Sequence, residues 1–179
     1  VTFVMWLVFT TRIAYIKTMK NEVIPVEIKG VVPMGNTCAI FIGNDSKVFV
    51  INVDPQMAAI ISMFINETPK ERPLTHDLIN NIFKAFNITV ERVVITELRK
   101  STYYARLILK AENELGMKIV ELDARPSDCI ALAIANKRPI YVSATLFEEV
   151  EDMSELLDQI NQAREDSEDS QGESGEEKV

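Results

Sequence analysis

From Val23 onward, apolar positions gather in short runs rich in β-branched residues, VIPVEIKGVV, TCAIFIG and KVFVINV, separated by the polar turn formers Pro-Met-Gly-Asn and Gly-Asn-Asp-Ser. Short β-branched runs between turn formers predict three strands in a meander. At Asp54-Pro55 the period changes. QMAAIISMFIN is apolar nearly all round, which predicts a buried helix opened by proline. ETPKERP, charged and holding two prolines, reads as a surface connector. Thr75 is the expected N-cap of a second helix, which places Leu78, Ile79, Ile82, Phe83 and Phe86 on one face.

The same order then returns. TVERVVITELR, TYYARLILKAE and MKIVELDA predict three further strands; Pro126 opens the helix SDCIALAIANK, and PIYV gives a final short strand. VFVINVDPQMAAI from Val48 and IVELDARPSDCIA from Ile119 share the shape strand, polar turn, proline, buried helix at an offset of 71 residues. The fold class this implies is α+β: a duplicated β-β-β-α unit on a mixed or antiparallel sheet with helices packed on it. Only the second helix start, DARPSD, is rich in charge, which directs the search for function there. SATLFEEVEDMSELLDQINQAR predicts one amphipathic helix or a pair.

Charge sharpens the division of the chain. From Glu148 onward there are 13 acidic and 2 basic residues, a local balance of −11 against +3 for everything before it. A mildly basic body therefore carries a strongly acidic tail. The expected organisation is a leader over residues 1–18, upstream of Met19, a globular domain over 19–147, a helical extension over 148–163 and a disordered acidic tail over 164–179. VTFVMWLVF has only about half of the roughly 20 apolar residues a membrane span requires, and its basic residues, Arg12 and Lys17, follow the apolar stretch rather than precede it. Cys38 and Cys129 lie in apolar runs without metal spacing, as buried thiols in a reducing compartment do. A cytoplasmic protein without a stable membrane span is expected.

Three clusters could carry chemistry. Glu121, Asp123, Arg125, Ser127 and Asp128 surround the second proline-led helix start. Strand alternation puts Glu121 and Asp123 on one side, expected to face that helix start, where Asp123 and Asp128 could hold Mg2+ or Mn2+ and Arg125 could meet a phosphoryl group. The competing reading is a dipole-complementing acid paired with its neighbouring arginine. In RPLTHDL, Arg72, Thr75, His76 and Asp77 surround the only histidine of the chain, a candidate for proton transfer or a structural hydrogen-bonding residue beside a helix cap. Arg99, Lys100, Tyr103, Tyr104 and Arg106 form a basic and aromatic strand that could bind a nucleic-acid strand or pack across the sheet. There is no Walker loop, dinucleotide fingerprint, zinc spacing or nucleophile elbow.

RPLTHDLINNIFKAFNITVERVVITELRKSTYYARLILK, followed by VELDARPSDCIALAIANKRPIYV, resembles the bifunctional nuclease family, most specifically at RPLTHDL and LDARPSDCIALA. The resemblance covers about Val23 to Val150. It implies a compact α+β domain that degrades DNA and RNA, with motif positions falling on Arg72, Thr75, His76, Asp77, Asp123, Arg125, Pro126, Ser127 and Asp128. After the third strand this chain reads INVDPQMAA, where relatives usually show Ile-Gly and an acid, a place that Asp54 would partly fill. On a nuclease reading the catalytic candidates are His76, Asp77, Asp123, Arg125 and Asp128; Arg72, Arg99, Lys100, Tyr104, Arg106 and Ser127 would contact substrate, and Asp123 and Asp128 would hold a divalent metal. DNA or RNA is then the partner, and a homo-oligomer is left open. The alternative is a non-catalytic binding or regulatory module in which the same residues form a salt-bridge network.

Overall fold

The structure is a computed structural model that describes residues 22–172 apart from Leu115. The expected leader and the last seven residues of the acidic tail lie outside the described residues. The first meander forms β1 (Val23–Met34), β2 (Thr37–Asn44) and β3 (Lys47–Val53), followed by α1 (Pro55–Ile65) and α2 (Thr75–Ala85). The second forms β4 (Ile88–Arg99), β5 (Thr102–Asn113) and β6 (Gly116–Ala124), followed by α3 (Pro126–Ala135). The chain continues through β7 (Ile140–Ser143), α4 (Ala144–Glu149) and α5 (Ser154–Gly172).

All seven strands make one mixed sheet in the order β3-β2-β1-β7-β4-β5-β6. β7, only four residues long, is the central strand: it runs antiparallel to β1 and parallel to β4 and so joins the two meanders. Ile140 and Val142 are buried there, Val142 completely. The meanders pair antiparallel within themselves, as short turns require.

Phe49 of β3 and Tyr103 of β5 lie with ring centroids 6.0 Å apart, although five strand spacings, about 24 Å at roughly 4.8 Å each in a flat sheet, separate their strands. The sheet therefore curls around its contents. Its concave side holds the main core, in which Ile40, Ile42 and Phe49 meet Ile61 of α1, Ile130 of α3 and Leu146 of α4. On the convex side Ala39 and Phe41 meet Leu157 of α5. β2 is consequently buried on both faces, which is why TCAIFIG reads as a continuous apolar run.

Three local expectations change. α2 begins at Thr75 with Leu74 in the capping position; the Asp77 carboxylate, not the threonine, accepts the Leu74 N–H at 2.8 Å. Its apolar residues divide between two sides: Ile79 and Phe83 pack on the core beside buried His76 and Asn80, while Leu78, Ile82 and Phe86 are exposed. Four-residue spacing on a helix aligns those three on one stripe, turned from the sheet by the polar pair that faces α3. α5 continues to Gly172, past Ala163, through Arg, Glu and Gln residues that favour helix.

Candidate functional site

α2 and α3 meet through one charged cluster. His76, in the first turn of α2 and 5% exposed, places Nε2 3.1 Å from Oδ1 of Asp128 in the first turn of α3. Arg125, the capping residue of α3, donates from Nε to Oδ2 of the same carboxylate at 2.7 Å and from Nη2 to Oδ1 at 3.2 Å. Both oxygens of Asp128 are thus engaged. With the proton on Nε2, His76 donates to Asp128 and leaves no N–H unpaired, because buried Nδ1 has no hydrogen-bond partner among the described residues. Phe64 of α1 closes the ring from the side, at 6.3 Å and 84°.

The electrostatics follow from that geometry. Burial pushes the Asp128 carboxyl up, but the hydrogen bonds from Arg125 and His76 and the arginine charge outweigh it and hold it below the ordinary aspartate value. The bond and charge of Asp128 raise the Arg125 guanidinium. Its side chain remains 69% exposed, so one edge is fixed to the carboxylate while the other is open to solvent. Fork geometry makes this an aimed cation rather than a swinging one.

A cleft of about 300 Å³ opens beside Arg125, where the end of β3, the β4–β5 turn and the start of α3 come together. Asn52, Asp54, Ser101, Thr102, Tyr103, Pro126 and Ser127 are among its walls. The helix starts of both meanders reach this place because the sheet curls. They end differently: Asp54 caps α1, its carboxylate accepting the Met57 N–H at 2.9 Å, whereas α3 has no side-chain cap. Lys100 and Ser101 form the two-residue β4–β5 turn with positive φ at both positions, +47° and +63°, in conformations that favour Asn-Gly.

The other sequence candidates separate. Asp123 pairs with Arg106 and Ala124 with Ala105 across β5–β6, and Ala105 is completely buried in the concave core. Cross-strand partners share a face, so Glu121 and Asp123 do point the same way, but to the convex side, away from α3. Alternation counted from an exposed strand cannot say which side is core; the register does. Asp77 is held by Lys70, 2.8 Å from each oxygen, and Lys70 lies over the Phe64 ring at 3.9 Å. Burial opposes the charge on Asp77, but the bonds from Lys70 and Leu74 hold its carboxyl low. Arg99 is paired with Glu97 at 2.6 Å and stands over the Tyr104 ring. Arg106 lines a different, convex-side cleft with Arg92 and Glu121, and Arg72 is exposed. Ser127 is buried beside Arg125.

The donor set does not fit the expected divalent ion. Asp123 and Asp128 face opposite sides of the sheet, Asp128 has both oxygens occupied, and among the described residues no three His, Cys, Asp or Glu side chains gather as a metal-holding group. Lys70 is the neighbour that sequence reasoning passed over, whereas Asp54 enters it as a partial substitute for the acid that relatives carry after the third strand. Lys70 lies in the connector, where no periodicity marks it.

Residues 40–155 match the bifunctional nuclease domain, a span that reaches from β2 to the first turn of α5 and holds the whole His76–Arg125–Asp128 cluster. The chain belongs to that family. Two Mycobacterium tuberculosis proteins, from strains CDC 1551 / Oshkosh and ATCC 25618 / H37Rv, are each 31% identical to it over 106 residues, and both are described as uncharacterized. The match takes in 59% of this chain and 60% of each relative. In this bifunctional nuclease domain the two sequence motifs converge at His76 and Asp128, whereas Asp123 stands apart from them. Among the described residues, no helix is long and apolar enough to cross a membrane.

Proposed function

We propose that this chain hydrolyses phosphodiester bonds of DNA or RNA, and that Arg125 is the group that meets the phosphate. The observation that carries this reading is the fixed, outward-facing guanidinium: Asp128 holds its Nε edge at 2.7 Å while the side chain stays 69% exposed. Such an edge suits two oxygens of a phosphoryl group and stabilises charge that builds on them. His76 is a positioning residue here, since its ring is sealed and its one bond goes to Asp128. Family membership supports the substrate class.

The test is cleavage of labelled single-stranded DNA and RNA by protein free of contaminating nuclease, with and without Mg2+ or Mn2+. Arg125→Gln should lower cleavage about a hundredfold or more, Arg125→Lys should not restore it, and Asp123→Asn should leave it within about twofold. Activity that survives Arg125→Gln would overturn the reading. Closure of His76 and double engagement of Asp128 favour a second one, a non-catalytic module in which the cluster is a clamp between α2 and α3. Absence of cleavage by the clean wild-type protein under every metal condition would favour the clamp.

A further inference from the structure

We infer that a second copy of this chain docks on the open edge of the sheet, β6 pairing antiparallel with β6 of its partner about a two-fold axis. This stands apart from the phosphodiester reading above and does not need it.

The two edges of the sheet differ. At β3 the chain covers its own edge: Val48 donates its N–H to Oδ1 of Asp152 at 3.3 Å, and its carbonyl accepts the Met153 N–H at 2.7 Å. At the other end of the strand order stands β6, nine residues long, with β5 as its one neighbour in the described sheet. An uncovered edge presents a row of backbone N–H and C=O groups to any strand that can pair with it.

Apolar surface gathers at the same edge. Met117, Ile119 and Leu122 on β6, with Leu78, Ile82 and Phe86 along the outer stripe of α2, are six of the ten exposed large apolar side chains among the described residues, each between 42% and 72% exposed. The two groups adjoin: Asn87, next to Phe86, accepts the Glu112 N–H at 3.4 Å, and Glu112 pairs with Met117. Six such side chains leave on the order of several hundred Å² of apolar surface in water, the size at which a patch marks an interaction site. The nine-residue edge adds a length of roughly 30 Å, which brings patch and edge toward the roughly 800 Å² per partner of a stable complex.

The strand is complementary to itself. Registers centred on Lys118 or Glu121 set like charges directly opposite each other, which is unfavourable, whereas those centred on Ile119 or Val120 do not. Centred on Val120, Lys118 meets Leu122, Glu121 meets Ile119 and Asp123 meets Met117, so every charged side chain of β6 faces an apolar one. A two-fold interface requires such self-matching, and it selects a second copy as the occupant.

Sedimentation velocity of the full chain tests this. Wild type should sediment as a dimer at about 100 μM and hold as salt rises, since each copy carries a net charge of −8 that salt screens. Ile119→Lys and Phe86→Glu should each weaken the dimer about tenfold or more with urea midpoints near wild type, while Met34→Glu, at an exposed position on β1 away from this edge, should leave it unchanged. Under mild oxidation Ile119→Cys or Val120→Cys should cross-link two copies, because opposed residues at the axis have Cβ atoms within about 5.5 Å, and Met34→Cys should not. A monomer at about 100 μM, or a dimer indifferent to Ile119→Lys and Phe86→Glu, would overturn the inference. So would a chain starting at Glu22 that dimerises where the full chain stays monomeric, a result that gives the patch to residues 1–21 instead.

Discussion

Truncating Asp128 should separate the two things its carboxylate does. Asp128→Ala strips the Nε2 partner from a histidine that is 5% exposed and already has an unpartnered Nδ1. A buried polar group left unpaired costs about 1–3 kcal/mol. To this the loss of an acid in the first turn of α3 adds about 0.5 kcal/mol, and the half-solvated Arg125 pair adds about 0.5 kcal/mol. The expected total is about 2–4 kcal/mol. Asp128→Asn keeps an acceptor for His76 and loses only the charge-dependent part, about 1 kcal/mol. Urea denaturation followed by circular dichroism measures both, and the slope should stay constant while the midpoint moves. The decisive quantity is the gap between the variants. If alanine and asparagine destabilise equally, His76 does not depend on that bond and the clamp between α2 and α3 is wrongly assigned.

Three further outcomes follow from named contacts. Asp77 and Asp128 both have carboxyls held low in the folded state, so their contribution is present above the ordinary aspartate pKa and lost as pH falls through the folded values; the urea midpoint should drop steadily below about pH 4, and less steeply in Asp128→Asn. An added Cβ at Gly43 would collide with the Lys47 carbonyl oxygen and lie 2.6 Å from Cα of Val48, both backbone, so Gly43→Ala should cost about 3 kcal/mol or prevent folding, with a thermal midpoint near wild type counting against the β2–β3 register. Burial and the nearby Asp128 and Asp123 charges push the Cys129 thiol up to about 12; mass spectrometry after iodoacetamide treatment at neutral pH should find Cys129 unmodified in folded protein and modified in urea.

Much of the architecture was legible along the chain. The strand runs, the two proline-led helices and the pair of C-terminal helices come from period and from turn residues, which act locally. The two motifs also stood out along the chain, because charged residues beside a buried helix start are unusual, and the structure brings them into contact at His76 and Asp128. Sequence alone therefore determined that the two charged motifs sit at the starts of α2 and α3.

Tertiary structure decided which of those side chains meet. Asp123 and Asp128 are five positions apart, and only the β5–β6 register sends one to the convex face while the helix start turns the other toward His76. His76 and Asp128 are 52 positions apart and meet only when α2 is laid against α3. β7 is the centre of the sheet because it pairs with both β1 and β4, a non-local pairing that four residues cannot announce. The curl that brings Asp54 toward Arg125 and opens the cleft beside Ser127 belongs to the whole sheet. Local patterns fix periods and turns; register, curvature and the choice of face are set by how distant surfaces pack.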